Sequence, residues 1–135
     1  MLIENIKEKQ PSLKYFIDVH RDSSKRYKTI TEIEGITYAR VLFVVGLEHD
    51  NYEDNLKIAT DLNELIINKY PNLSRGIYKK SGEGVNGIYN QNLSPNLILL
   101  ELGGQYNSID EINNTINLIV PIISDYIKEK ENIAN

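Results

Sequence analysis

Apolar and polar positions along this chain follow two different periods. Residues 15–20 (YFIDVH) form a short, mostly apolar run bounded by polar sequence, the pattern of a strand buried on both faces. Between residues 27 and 46 the pattern alternates, turns at Glu34-Gly35 and resumes as ITYARVLFVVG. This predicts a hairpin whose second arm runs on into the centre of a sheet. Leu56, Ala59, Leu62, Ile66 and Tyr70 then recur at spacings of three and four, with Asp50 and Glu53 in capping-box positions and Pro71 just beyond. An amphipathic helix is expected over residues 50–70. A short strand follows over 75–80, then a loop over 81–87, where three glycines in seven residues hold no ladder. Residues 97–102 (LILLEL) read as another buried strand, closed by Gly103-Gly104. Ser108 and Glu111 make a second capping box ahead of Ile112, Ile116, Ile119, Ile123 and Ile127. Pro121 lies inside that helix and is expected to kink it, at a cost of about 3 kcal/mol unless packing compensates.

Strands alternating with amphipathic helices give an α/β fold: a central, mostly parallel sheet with one hairpin arm, flanked by helices. No repeat, low-complexity tract or linker divides residues 1–135, so they read as a single domain. Residues 2–9 are too short and too charged for a stable isolated helix and are stopped by Pro11; they are expected to be the end of a longer one.

Composition narrows the chemistry. With 41% apolar and 25% charged residues the chain can build a core, and the lack of cysteine excludes disulfides, Cys-ligated metals and thiol nucleophiles. A net charge of −4 and a pI near 5.2, with only short basic clusters, argue against a broad nucleic-acid surface. No run approaches 18 apolar residues, and the first ten residues hold no signal-like apolar core.

Two ionisable residues stand at the ends of apolar strand runs, where α/β proteins place their chemistry: His20 closes YFIDVH and Glu101 lies near the end of LILLEL. A carboxylate left in an apolar run is either desolvated, with its pKa raised toward the range of a general base, or hydrated past the last ladder bond, or paired with Arg21 or Arg40. His20 is either a ligand or a histidine satisfied by backbone. Arg21 and Asp22 either orient His20, bind a carboxylate, or pair with each other. His49, among helix-capping acids, reads as a solvated loop residue. The polar segment 87–96, with Asn90 and Gln91, either lies over the sheet edge and binds a polar substrate or is a plain turn before Pro95. Gly103-Gly104 permits a close backbone approach or a bend.

Five strings, KYFIDVHRDS, YARVLFVVGLEHDNYEDNL, KYPNLSRGI, GIYNQNLSP and LLELGGQYNS, occur in that order and together resemble the stage II sporulation protein P family of zinc-dependent N-acetylmuramoyl-L-alanine amidases. The resemblance covers residues 9–125. It implies that His20 is a zinc ligand, that Glu101 is the catalytic acid/base, and that Arg21, Asn90 and Gln91 contact substrate. It implies Zn2+ as cofactor, the peptidoglycan stem peptide and glycan strand as substrate, a lytic transglycosylase as partner in engulfment, and an extracytoplasmic, membrane-associated location. The family's remaining ligands, a histidine and a glutamate, come from a segment upstream of the matching strings. This chain is therefore expected to be the C-terminal portion of such a catalytic domain, inactive or weakly active alone. The alternative is a peptidoglycan-binding or interaction module of the same descent that cuts nothing.

Overall fold

Among the described residues three α-helices and six strands follow one another as α1 (Leu2–Lys9), β1 (Phe16–Asp22), β2 (Ile30–Ile33), β3 (Ile36–Ala39), β4 (Val41–Gly46), α2 (Tyr52–Lys69), β5 (Ser74–Lys80), β6 (Leu97–Gly104) and α3 (Ile109–Ala134). This computed structural model describes residues 2–50, 52–81 and 94–134. The glycine-rich loop over 81–87 and the candidate residues Asn90 and Gln91 lie, but for Ser81, outside the described residues.

Four strands form one sheet in the order β1-β6-β4-β5, with β1 parallel to β6 and β4 parallel to β5. The antiparallel element is the junction of β4 with β6, not the hairpin arm. That arm, β2 with β3, makes a separate two-stranded ribbon around a turn at Glu34 (φ 51°) and Gly35 (φ 82°), the left-handed pair a two-residue hairpin needs. The expected long second arm is split at Arg40. Its guanidinium donates to the carbonyls of Asn72 and Ser74, which turns the chain from ribbon into sheet. The ribbon docks on α3 instead, where Asn114 Nδ2 donates to Thr37 O and Thr115 Oγ1 to Ala39 O.

The core lies on one face of the sheet. Val41, Phe43, Val45, Ile98, Leu100 and Leu102 pack there against Ile58, Leu62 and Ile66 of α2 and Ile119 and Ile123 of α3, all buried. Each such side chain contributes about 1.5–3 kcal/mol, so this layer dominates folding. The opposite face carries a smaller cluster, Val44, Leu97 and Leu99, with Ile3 of α1 and Phe16 against it. Among the described residues only the two-turn α1 lies over the apolar end of that face, and none covers its polar end.

β1 departs from expectation. Among the described residues it is an edge strand, and it is not buried on both faces as expected: Ile17 and Val19 are 44% and 53% exposed and none of its residues is fully buried. The apolar run reflects a stripe facing the groove beside α3, lined by Ile17, Val120, Ile123 and Ile127. α3 begins with the expected capping box, in which Ser108 N donates to Glu111 Oε1 (2.8 Å) and Glu111 N to Ser108 Oγ (3.1 Å). It runs on through Pro121, whose exposed ring sits on the solvent side of the helix, away from the core.

Candidate functional site

Register places one row of residues across the whole sheet: His20 pairs with Glu101, Glu101 with Leu42, and Leu42 with Gly76. Strand side chains alternate, so Asp18, His20 and Asp22 of β1 share the open face with Leu99 and Glu101 of β6, Leu42 and Val44 of β4, and Tyr78 and Lys80 of β5. A groove of about 450 Å³ runs along this row, lined by Arg21, Asp22, Arg75, Tyr78, Lys80 and Glu101 among others. A smaller hollow of about 150 Å³ brings His20 and Glu101 together with Val44, Lys80 and Leu99.

Two breaks in register shape the groove. On β1 and β6 the pairing steps from His20 and Glu101 to Asp22 and Gly104, which loops an extra residue into β6 around Gly103 (φ 63°). On β4 and β5 it steps from Val41 and Ser74 to Leu42 and Gly76, leaving Arg75 unpaired beside Gly76 (φ 98°). A bulge re-aims the residue it leaves out of the ladder. Arg75 is thereby turned onto the open face, where its Nη1 donates to Asp22 Oδ2 across the two strands between them. Gly103-Gly104 makes the close approach that the sequence leaves open: a Cβ at Gly104 would stand 2.8 Å from Asp22 O, and one at Gly103 2.6 Å from Asn107 Oδ1.

Asp22 is held from three directions, by Arg75, by Ser24 N (2.9 Å) and by Ser24 Oγ (2.9 Å). Burial works to raise its pKa, but these hydrogen bonds outweigh it and the carboxyl is shifted down. Glu101 is shifted the other way. Burial raises its pKa and the charge of Asp22 adds to the rise, against Lys80 and Arg75, while a hydrogen bond to Asp22 favours the protonated form. Of the alternatives the residues left open, desolvation is the one found: Glu101 is neither fully hydrated nor paired with Arg21 or Arg40, whose guanidinium groups are spent on backbone. Arg21 donates from Nε and Nη2 to Gly104 O and from Nη2 to Asn107 O (2.6 Å), which ties β1 to the turn before α3. It does not pair with Asp22.

His20 is exposed and its Nε2 lies 2.9 Å from Asp18 Oδ1, two residues back on the same strand face. His49 is half-buried rather than solvated; burial lowers its pKa against a hydrogen bond to the Gly46 backbone. For a zinc ion, the donors in reach are His20 and Asp18, with Glu101 on the next strand. Among the described residues no three His, Cys, Asp or Glu side chains are placed to hold a metal ion, and a catalytic zinc takes three protein ligands. The described residues do not fit a zinc ion by themselves.

Two residues of this site, Asp18 and Arg75, escape the sequence reading. Asp18 had a local signal, since i and i+2 share a strand face. Arg75 had none, and Asp22, singled out beside Arg21, has Arg75 and not Arg21 as its partner, because the bulges that bring the two together are formed by pairing between strands distant in sequence.

A family model described as Stage II sporulation protein P (SpoIIP) matches residues 1–124. A protein named Stage II sporulation protein P, from Bacillus subtilis (strain 168), is 42% identical over 122 residues, 90% of this chain and 30% of that protein. The chain thus spans under a third of the length of the curated relative it matches. No solved structure matches it.

Proposed function

The chain belongs to the Stage II sporulation protein P family, a sporulation family, and from that premise we propose that it forms the acid–base part of a peptidoglycan amidase site. The carrying observation is the setting of Glu101: a half-buried carboxyl with a raised pKa, one strand from His20, in a groove open to solvent. Ordinary surface glutamates are ionised and poor bases near neutrality. One biased toward its neutral form accepts a proton more readily at working pH.

In this reading the amide between the lactyl group of muramic acid and the first alanine lies over the sheet row. Glu101 takes a proton from water as the water oxygen bonds to the carbonyl carbon. It then gives the proton to the alanine nitrogen as the carbon–nitrogen bond breaks. Asp22 keeps Glu101 aimed across the groove, and Arg75 keeps Asp22 ionised and in place. His20 is the residue of this chain that would ligate the zinc that the family resemblance implies. The described donors do not complete that site. By resemblance the other ligands belong to an upstream segment, and the work is extracytoplasmic, beside a glycan-cutting partner.

The same donor shortfall favours the second reading, a wall-binding module that cuts nothing. The test is stem-peptide release from muropeptides by this chain carried within the full family catalytic region. E101Q is expected to lower release by about 10²–10⁴-fold. Release that is unchanged in E101Q sinks the catalytic assignment. Saturable wall binding that is indifferent to chelator, with no peptide released, establishes the module instead.

A further inference from the structure

The groove is richer in cations than an acid–base site needs. Among the described residues Arg21, Arg75 and Lys80 line it beside Asp22 and Glu101, in a chain whose net charge is −4. Arg21 is committed to the Gly104 and Asn107 carbonyls. Arg75 is different. It is held in the groove by a bulge, its side chain is only 17% exposed, and its guanidinium is fixed at one corner by Asp22 Oδ2. A guanidinium carries five N–H donors in a rigid planar fork, so one corner in use leaves an oriented edge for a second anion. Lys80 sits at the other flank of Glu101, reaching the same hollow as His20, with its Nζ 5.0 Å from the centre of the exposed Tyr78 ring. Both cations act on the charge of Glu101.

Resting on the amidase reading, we propose that Arg75, with Lys80, is a carboxylate-recognition subsite: it binds a free carboxylate of the peptide on the departing side of the scissile amide. Peptide stems with a γ-linked glutamate carry such a group, an α-carboxylate a few bonds beyond the first alanine. A fork held by Asp22 matches a planar carboxylate with two parallel hydrogen bonds, which an amide at the same position cannot make without turning its NH2 toward the cation. The subsite therefore discriminates the free acid from its amidated form, and it orders the peptide so that the scissile bond lies over Glu101.

The probes are two synthetic stem tripeptides, identical except that the γ-linked glutamate bears a free α-carboxylate in one and a primary amide in the other. Binding to the full chain is followed by calorimetry and by amide chemical shifts. The free acid is expected to bind about tenfold tighter, with the largest shifts at residues 74–80. R75K keeps a charge beside Asp22 but loses the fork, and is expected to reduce the preference to below about threefold; K80Q is expected to weaken the acid form by about threefold. Equal affinity of the wild-type chain for the two peptides overturns the proposal, as does a preference that survives in both R75K and R75Q. If R75K does not fold by circular dichroism, the wild-type comparison and K80Q decide. The result is separable from the amidase reading: acid-selective binding with no hydrolysis in the full catalytic region removes the reading and keeps the subsite. Hydrolysis lost in E101Q, without acid selectivity, does the reverse.

Discussion

Glu111 and Glu101 are both glutamates drawn into the protein, and their surroundings bias them in opposite directions. Glu111, at the start of α3, is buried and surrounded by donors: Arg26 contributes Nη1 (2.7 Å) and Nη2 (2.6 Å), Ser108 its backbone N–H and Asn107 its amide. The Arg26 hydrogen bonds are the largest influence and outweigh burial, bringing its pKa down to about 2. Glu101 has burial and a neighbouring carboxylate working against its charge, and its pKa rises. A glutamate whose carboxylate oxygens are all met by donors is a structural bolt, whereas one left short of donors is biased toward holding a proton. The first costs the protein little, because its desolvation is offset by charge-assisted hydrogen bonds. The second is tolerated on an open face, where no core depends on it.

The sharpest way to test that contrast is to neutralise each in turn. E101Q is expected to abolish most hydrolysis in the full catalytic region while leaving the melting temperature of the chain unchanged or higher. Deleting a charge that burial disfavours removes a cost. A fall in melting temperature with activity intact reverses the roles assigned to the two residues. Next in size is G104A, which puts a methyl 2.8 Å from the Asp22 carbonyl and forces β1 away from β6. A loss of about 2–3 kcal/mol in urea unfolding is expected, with the Asp22–Arg75 pair disturbed as well. E111Q should cost about 2 kcal/mol by the same measurement, since it removes the charge from a cap and from its buried hydrogen bonds.

Acid unfolding separates the two carboxyls without mutation. Glu111 has a folded pKa below its ordinary 4.5, so its contribution is fully present above that pH and is lost as pH falls toward about 2. Glu101, with a folded pKa above 4.5, works the other way and is relieved by protonation as pH drops. The wild-type chain should lose stability over that acid window, and E111Q should show a flatter profile by circular dichroism. The smallest effect is expected from D18N. The Asp18–His20 pair is more than half exposed on the histidine side, so stability should move by less than about 0.5 kcal/mol, while the His20 ring resonances shift. A large destabilisation would show that β1 is more tightly held than an edge strand should be.

Several elements were legible from periodicity because they depend on neighbours close in sequence. The α2 stripe from Leu56 to Ile66, the Ser108–Glu111 capping box and the Glu34-Gly35 turn are all local. His20 and Glu101 stood out for a similar reason, as polar residues at odds with apolar runs. The exposure of β1 was not legible, because an apolar run is the same whether or not another element packs over its faces. The splitting of the hairpin arm at Arg40 depends on carbonyls of Asn72 and Ser74, far along the chain.

The sequence by itself determined where most strands and helices lie, where α3 starts, and which two polar residues interrupt apolar runs, since each follows from local periodicity and capping. Only the tertiary structure decided that His20 and Glu101 stand in one row, that the junction of β4 and β6 is antiparallel, and that two bulges bring Asp22 and Arg75 to the same groove. Register and bulges are fixed by hydrogen bonding between strands distant in sequence, and the pKa of a carboxyl by whichever charges that pairing sets beside it.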